Sequence, residues 1–265
     1  MSGVSDADPK LHVEVDGSGP TIVLGHGFGG SARNFRAQVR GLAPEFCVVR
    51  FDGRGHARSG APDDPGAYTP AAFIRDVGRV LDQVGVEQAT IGGVSMGAGI
   101  ALRFALAHPE RTRALVLAAF PAAAPAGGLA AVAHRFAEAI ERDGLEAAGG
   151  AYIWGPDSGL DARTARLVRE GFLEHEPHAL AHILRGVIAV QPAVAQIRAD
   201  LARVTQPVLV IAGADDHTSL APSHVLATAL PDARLAIIAG AGHLVNVAKP
   251  DEFNTHVRAF LRGLG

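Results

Sequence analysis

The stretch Gly93-Val94-Ser95-Met96-Gly97 indicates the fold, because it stands between a short apolar run and a helix-forming sequence rich in alanine, glycine and leucine. A strand that turns directly into a helix holds its middle residue in a strained backbone conformation. The turn is sterically possible only when the residues two before and two after are small, as Gly93 and Gly97 are. The stretch therefore predicts a nucleophile elbow, with the Ser95 hydroxyl beside the first amides of the helix. The alternative is a glycine-rich turn that contains a serine by chance.

Seven short apolar runs, rich in β-branched residues, predict strands. They are residues 11–15, 21–24, 46–51, 89–94, 114–119, 207–212 and 235–238. From the third run onward most are separated by segments with helical periodicity, which is typical of a mainly parallel sheet with helices on both faces. We therefore predict an α/β fold with a doubly wound sheet. The turn sequence at residues 17–20, Gly-Ser-Gly-Pro, predicts that the first two runs form an antiparallel hairpin.

The alternation of strands and helices stops between the fifth and sixth runs. Four helical segments are predicted there, at residues 129–142, 162–174, 179–190 and 194–204. We interpret residues 121–204 as a helical cap inserted into a core formed by residues 1–120 and 205–265. A cap over the carboxyl edge of the sheet would exclude water and shape an apolar pocket. The alternative is that these helices belong to the layers of the core.

Composition and charge point to a small-molecule partner. The chain has 265 residues, 48% of them hydrophobic, and a formal net charge of −3, so we expect a folded protein that binds no nucleic acid. The first ten residues do not resemble a secretory signal and no apolar run could span a bilayer, so no membrane partner is expected. Cys47 is the single cysteine, which excludes an intrachain disulfide. We expect a cytoplasmic protein, and the sequence leaves the oligomeric state open.

A serine hydroxyl needs a neighbouring base, and a group that orients the base, before it can act as a nucleophile at neutral pH. His243 follows the seventh apolar run, and Asp215 and Asp216 follow the sixth. Loops that follow parallel strands open at the same edge of a sheet, so these side chains are expected to lie near Ser95. The order Ser, Asp, His along the chain is the order in elbow hydrolases. The adjacent aspartates leave two candidates for the acid.

The predicted site also needs amide donors for the oxyanion of a tetrahedral intermediate. The amide of Met96, directly after Ser95, is one candidate. Residues 26–30 read His-Gly-Phe-Gly-Gly and follow the second predicted strand, and the amide of Phe28 is the other candidate. This loop has neither the spacing of a dinucleotide fingerprint nor the lysine of a P-loop, so phosphate binding is not expected.

Five motifs together resemble the α/β-hydrolase fold over nearly the whole chain. They are residues 26–29, residues 52–59, the elbow at Ser95, residues 213–216 and residues 242–243. In that family the acid usually stands three residues after the glycine that ends the strand, which favours Asp216 over Asp215. The family usually has glycine where Ala57 stands. Within the fold, residues 51–59, 68–69, 108–111 and 243–246 resemble the 3-oxoadipate enol-lactonase-like and carboxylesterase branch.

We therefore expect a serine hydrolase of carboxylic esters or lactones. Ser95 is expected to attack the carbonyl carbon, His243 to accept and return the proton, and Asp216 to orient the imidazole. The amides of Phe28 and Met96 would bind the oxyanion. Because water activated by His243 would release the acyl group, no cofactor is expected.

The candidates for the substrate pocket are less specific. Phe120, Trp154 and Leu244 are apolar residues that could line it. An enol-lactone with a carboxylate would also need a cationic residue, for which Arg135 and Arg185 are candidates.

Three histidines of the predicted cap, His175, His178 and His182, stand close together in the sequence, and the last two have the i, i+4 spacing of a helical metal site. No carboxylate or cysteine completes a ligand set around them. We therefore expect no metal.

Two other functions remain open. A carbon–carbon bond hydrolase or a cofactor-free perhydrolase would use the same triad. Residues 24–30 also resemble hydrolase-fold hormone receptors and bacterial stress regulators, which implies a ligand sensor with slow turnover. No appended interaction module supports the sensor, so it ranks third.

Overall fold

The computed structural model describes residues 8–121 and 128–264. Within these residues, seven strands form one sheet in the order β1-β3-β2-β4-β5-β6-β7. The strands are β1 (His12–Asp16), β2 (Thr21–Gly25), β3 (Cys47–Asp52), β4 (Ala89–Val94), β5 (Thr112–Ala118), β6 (Val208–Gly213) and β7 (Ala233–Ile238). All pairs are parallel except that of β1 with β3. The predicted α/β fold with a mainly parallel sheet is confirmed.

Helices connect most of the strands. The described part of the chain contains α1 (Arg36–Leu42), α2 (Pro70–Gln83), α3 (Met96–Ala107), α4 (Gly128–Tyr152), α5 (Ala162–Phe172), α6 (Pro177–Ile183), α7 (Arg198–Leu201), α8 (Leu220–Ala229), α9 (Val245–Ala248) and α10 (Pro250–Arg262). Short 3₁₀ helices lie at Ala32–Phe35, Pro65–Ala67, Pro109–Arg111, Pro156–Ser158 and Val194–Ile197, and a π-helix lies at Leu184–Ile188. None of the helices in the described ranges is both long enough and apolar enough to cross a membrane.

Apolar side chains cover both faces of the sheet. Along β2, Ile22 and Leu24 pack in one core with α1 and α10, whereas Val23 packs in the other core with α2 and α3. This alternation follows from the two-residue period of a strand. Because both faces are covered by helices, polar chemistry is left to the loops at the edge of the sheet where the parallel strands end.

The predicted hairpin between the first two strands is wrong, because β1 pairs with β3 and β3 lies between β1 and β2. The turn that joins β1 to β2 packs against the segment that leads into β3. A Cβ added to Gly17 would lie 2.3 Å from the carbonyl oxygen of Ala43. The amide of Cys47 then donates to the carbonyl oxygen of Pro20, at 3.1 Å, where β2 and β3 begin in parallel. The glycine turn therefore makes room for a third strand instead of closing a hairpin.

Between β5 and β6 the described chain is helical, from α4 to α7. Helix α4 changes direction at Gly144, whose φ of 80° and ψ of 173° only glycine adopts at low cost. The helix predicted over residues 179–190 is α6 followed by the π-helix. The division into a core and a cap stays a prediction, and its residues 1–7, 122–127 and 265 lie outside the described part of the chain.

Candidate active site

Ser95 lies at the junction of β4 and α3, with φ 54° and ψ −117°. Its amide donates to the carbonyl oxygen of Ala118, at 2.9 Å, which ties the turn to β5. A Cβ added to Gly97 would lie 2.1 Å from the carbonyl oxygen of Gly25, and one added to Gly93 would lie 2.4 Å from the backbone of Gly97. Side chains at either glycine would force strand and helix apart. A non-glycine residue at positive φ costs free energy, and such residues cluster at functional sites.

His243 and Asp216 form a hydrogen-bonded pair in the loops after β7 and β6. His243 Nδ1 lies 2.8 Å from Asp216 Oδ2. The side chain of His243 is 40% exposed, whereas that of Asp216 is 2% exposed. Because the carboxylate holds the proton of Nδ1, the other ring nitrogen, Nε2, is left as the acceptor. The neighbouring Asp215 is exposed, and its amide donates to the carbonyl oxygen of Ala241.

The carboxylate of Asp216 accepts further hydrogen bonds from the two residues that follow His217. Oδ1 accepts from the Thr218 hydroxyl at 2.7 Å and the Thr218 amide at 3.1 Å, and Oδ2 accepts from the Ser219 hydroxyl. Burial alone raises the pKa of Asp216, but the hydrogen bond and charge of His243, with the donors of Thr218 and Ser219, lower it from 3.8 to about 2. The carboxylate is therefore ionised at neutral pH.

The contact of Ser95 with the rest of the predicted triad is weaker than the contact between His243 and Asp216. The side-chain hydrogen bonds of His243 involve Asp216 and, at 3.5 Å, the hydroxyl of Ser219. None joins His243 to Ser95 in the part of the chain that the structure describes. Catalytic hydrogen bonds are often long in the free enzyme and shorten when substrate binds. The structure therefore brings the predicted base and the predicted acid together, and the complete triad stays a prediction.

The two predicted oxyanion donors, the amides of Phe28 and Met96, belong to segments that lie side by side. Gly27 lies beside the nucleophile, since a Cβ added there would lie 3.4 Å from Ser95 Cβ. Met96 is the first residue of α3, so its amide has no acceptor within the helix. The amide of Phe28 makes no hydrogen bond to any described residue, in contrast to that of Gly29, which donates to His56 Nε2 at 3.2 Å. Two unpaired amides are thus available near Ser95.

Two buried histidines fix residues 26–30, the oxyanion loop, to the loop after β3. His26 Nδ1 lies 2.8 Å from the carbonyl oxygen of Gly27, and His26 Nε2 accepts from the Gly53 amide at 2.9 Å. His56 has the same arrangement, because its Nε2 accepts from the Gly29 amide and its Nδ1 faces a backbone carbonyl. A ring nitrogen that accepts an amide proton cannot carry its own. Both rings are therefore neutral, with the proton on Nδ1.

The surroundings of these rings favour the neutral form. Burial lowers the pKa of His26 to about 4, although its hydrogen bond to Gly27 and the charge of Asp52 oppose the change. Burial, followed by the proximity of His26 and His175, lowers the pKa of His56 well below 6.5. Sequence reasoning missed this role. The available signal was a histidine in each of two glycine-rich loops that follow predicted strands.

The predicted pocket residues lie in different places. Trp154 packs on Phe172, with 5.4 Å between ring centroids, and Phe172 in turn packs on Phe28 at 6.1 Å. These rings connect the inserted helices to the oxyanion loop. Phe120, just after β5, lines a pocket beside α3. Leu244 is half-buried and precedes α9. Their roles in substrate binding stay predictions.

The two arginines predicted as candidates for a cationic pocket are on the surface. Arg185 forms an ion pair with Glu141, with 2.5 Å between nitrogen and oxygen. Arg135 is exposed on α4. Neither of them lines the pocket beside α3.

The three histidines of the inserted helices contact other groups. His175 Nε2 lies 3.0 Å from the carbonyl oxygen of Gly30, and His178 Nε2 lies 3.3 Å from that of Ala61. The ring of His182 packs on Tyr68, with 5.6 Å between centroids. Residues 8–121 and 128–264 contain no group of three or more His, Cys, Asp or Glu that could hold a metal ion.

Comparison with known proteins places the chain among hydrolases. The model of the alpha/beta hydrolase fold family matches residues 20–138. "Putative carbamate hydrolase RutD" of Azorhizobium caulinodans is 32% identical over 263 residues, which cover 96% of this chain and 95% of the relative. A thermophilic esterase from Thermogutta terrifontis superposes with a TM-score of 0.86 at 26% identity, covering 97% of this chain and 94% of the esterase. The enol-lactonase of Burkholderia xenovorans superposes with a TM-score of 0.85 at 27% identity, covering 96% and 97%.

Proposed function

The chain belongs to the alpha/beta hydrolase fold family, and on that premise we propose that it is a serine hydrolase of carboxylic esters or lactones. The observation that carries the proposal is the ionised Asp216 bound to His243, at the edge of the sheet where β4 delivers Ser95 in a strained turn. A base held by a buried carboxylate is what a serine hydroxyl needs to become a nucleophile.

In the proposed reaction the Ser95 hydroxyl attacks the carbonyl carbon and its proton passes to His243 Nε2. Asp216 keeps the proton of His243 on Nδ1 and stabilises the imidazolium ion that forms. The imidazolium then donates its proton to the leaving alkoxide, which leaves an acyl group on Ser95. Water, deprotonated by the same histidine, attacks the acyl group and restores the serine. The exposed face of His243 gives this water a path to the ring.

The amides of Phe28 and Met96 would donate hydrogen bonds to the carbonyl oxygen as negative charge develops on it. Donors that point to this position before the reaction cost no reorganisation, and each is worth about 3 kcal/mol of transition-state stabilisation. The buried histidines support this arrangement, because His26 and His56 hold the backbone on both sides of Phe28. The proposed role of these two histidines is to position the loop.

Hydrolysis of a carbamate is a second candidate, and the similarity to the carbamate hydrolase relative over 96% of this chain favours it. The chemical steps are the same, because a carbamate also presents a carbonyl carbon with a leaving group. The two candidates differ in the acyl group, which the nitrogen of a carbamate makes less electrophilic. Relative rates on matched substrates therefore decide between them.

The test is a turnover assay with phenyl acetate, γ-butyrolactone and phenyl carbamate at neutral pH. We expect hydrolysis of at least one ester or lactone, with a fall of about 10⁵-fold in kcat for Ser95→Ala. Ser158→Ala changes a serine on the exposed Pro156–Ser158 turn and serves as the matched control. A carbamate hydrolysed much faster than the ester would favour the second candidate. Equal rates for Ser95→Ala and the wild-type protein would contradict both.

A further inference from the structure

A pocket on the flank of α3 is lined by none of the residues assigned to the reaction described above. It has a volume of about 420 Å³ and lies between α3 and the segment that runs from the end of the π-helix through α7. Its lining is mostly apolar and includes Leu102 and Phe120, but Arg103 and Gln191 also line it. Apolar walls with a few converging polar groups are typical of small-molecule sites.

Arg103 is a half-buried cation that has no carboxylate partner among the described residues. Its one hydrogen bond within the described residues is to Gln191 Oε1, at 3.2 Å. Arg54 shows the usual arrangement, because its guanidinium is paired with both carboxylate oxygens of Asp76. Burial lowers the pKa of Arg103, and no neighbouring acid opposes the change. Its charge is thus left uncompensated beside the pocket.

Gln191 carries a second unused donor. The residue is 7% exposed, and its Nε2 has no hydrogen-bond partner among the residues that the structure describes. This nitrogen lies against Gly99, since a Cβ added to Gly99 would lie 3.3 Å from it. Gly99 lines the same pocket. A buried donor without an acceptor is unfavourable, so an acceptor in the pocket would satisfy both this amide and Arg103.

The remaining charges of the pocket offset each other. Arg203 and Asp200 also line it, and they form an ion pair with 3.3 Å between nitrogen and oxygen. Both side chains are at least half exposed, at 68% and 50%. The net charge of the lining is therefore positive and is due to Arg103.

We propose that this pocket binds the carboxylate of a small apolar molecule, with Arg103 and Gln191 Nε2 as the donors. A guanidinium beside an amide matches the two oxygens of a carboxylate, and the apolar walls suit a hydrocarbon chain or ring. Ser95, Gly99 and Arg103 are spaced four residues apart, so they share one face of α3. The carboxylate would lie about 12 Å along the helix axis from the nucleophile. The ligand is either the remote acid of a long substrate or a separate carboxylic acid.

Binding is tested by calorimetry with hexanoate and phenylacetate, using Ser95→Ala so that turnover does not interfere. We expect both acids to bind, and the neutral analogue hexanamide to bind at least 10-fold more weakly. Gln191→Glu places a carboxylate beside Arg103 with almost no change of shape, and we expect it to weaken acid binding at least 10-fold. Arg166→Gln, on the exposed face of α5, is the matched control and should leave binding unchanged.

The proposal is overturned if neither acid binds, or if binding is the same in Gln191→Glu and the parent. Should Gln191→Glu not fold, Arg103→Gln provides the same comparison, with unchanged binding again as the contradicting result. The variants are compared by thermal unfolding before calorimetry. A failure of ester hydrolysis would contradict only the proposed function, because this measurement needs no turnover.

The two sources of the carboxylate are separated by turnover of monomethyl esters of the C6 to C12 dicarboxylic acids. If the pocket binds the remote acid of a substrate, one chain length is hydrolysed at least 10-fold faster than its dimethyl ester. This advantage disappears in Gln191→Glu and is kept in Arg166→Gln. If the ligand is a separate acid, no chain length has an advantage and calorimetry still detects hexanoate. Either result supports a carboxylate site.

Discussion

Three histidines of the candidate site, His26, His56 and His243, occupy two contrasting environments. His243 is 40% exposed and bound to the ionised carboxylate of Asp216. His26 and His56 are buried and bound to backbone groups of two loops. A carboxylate partner favours a ring that gains a second proton, whereas an amide that donates to the ring excludes that proton.

For these three histidines, the proposed role follows from the hydrogen-bond partner of the ring. The loop that His26 and His56 hold lies beside Ser95, since a Cβ added to Gly27 would lie 3.4 Å from Ser95 Cβ. In the proposed reaction, the ring that exchanges protons is the one beside the carboxylate of Asp216. The buried rings instead act as fixed acceptors that hold the loop in place.

The largest expected effect is on turnover when His243 is replaced. His243→Ala removes the proposed base, so kcat should fall roughly 10⁵-fold on any substrate that the wild-type protein hydrolyses. The free energy of unfolding should change little, because the side chain is half-exposed. His224→Ala, which changes an exposed histidine on α8, is the control. If the two variants retain similar kcat values, the base has been assigned to the wrong residue.

The next largest effect on turnover is expected when one of the two adjacent aspartates is replaced. Asp216→Asn removes the charge that stabilises the imidazolium ion and allows the wrong tautomer, so kcat should fall about 10⁴-fold. Asp215→Asn is the matched control, and it should keep nearly full activity because Asp215 is exposed. Steady-state kinetics on both variants answer the question that the sequence left open. The reverse order of activities would assign the acid to Asp215.

The buried histidines should make the free energy of unfolding depend on pH. Above pH 6.5 His26 is neutral in both the folded and the unfolded chain, so its contribution to stability is complete. As the pH falls from 6.5 toward the folded-state pKa of about 4, only the unfolded chain binds the proton. Protonation of His26 in the unfolded chain should then lower the free energy of unfolding by about 3 kcal/mol.

Urea unfolding between pH 4.5 and 7.5 measures this loss. His26→Gln keeps an acceptor for the Gly53 amide but cannot take up a proton in this range, so its stability should fall less steeply with acid. The lowered pKa of Asp216, from 3.8 to about 2, acts at more acidic pH and leaves this window clear. Identical slopes for the variant and the wild-type protein would show that His26 does not remain neutral.

The smallest expected effect is at His56. His56→Ala leaves the Gly29 amide without its acceptor, which should lower the free energy of unfolding by about 2 kcal/mol. Turnover should fall far less than in His243→Ala, because the ring only positions the loop. Thermal unfolding and kinetics of the same preparation test both statements, again with His224→Ala as the control. A loss of kcat as large as that of His243→Ala would mean that a buried histidine bound to backbone groups also takes part in the reaction.

The sequence alone was sufficient for much of the fold and for part of the site. The short apolar runs predicted all of the strands in the described sheet, and the signal was clearest for central strands such as β4 and β6, where burial on both faces requires apolar residues at nearly every position. The glycines around Ser95 predicted the elbow because the close approach of backbones there excludes any side chain. His243 could be placed near Asp215 or Asp216 in advance because all three follow parallel strands, and only the family resemblance favoured Asp216.

Other features depended on contacts that a sequence does not encode locally. The predicted pairing of β1 with β2 was wrong. The observed pairing depends on the packing of Gly17 against Ala43, which is distant along the chain. The tautomers of His26 and His56 depend on which backbone groups the loops bring to each ring. Arg103 and Gln191 are 88 positions apart, and their shared pocket becomes evident only after the inserted helices pack on α3.

The central claim, that Ser95 is a nucleophile activated by His243, is tested most directly by covalent trapping. The intact protein is incubated with a fluorophosphonate and the labelled peptide is identified by mass spectrometry. We predict one adduct, on Ser95, which is absent from Ser95→Ala and forms at least 1,000-fold more slowly in His243→Ala. An adduct on another residue, or equal labelling of the wild-type protein and His243→Ala, would contradict the account.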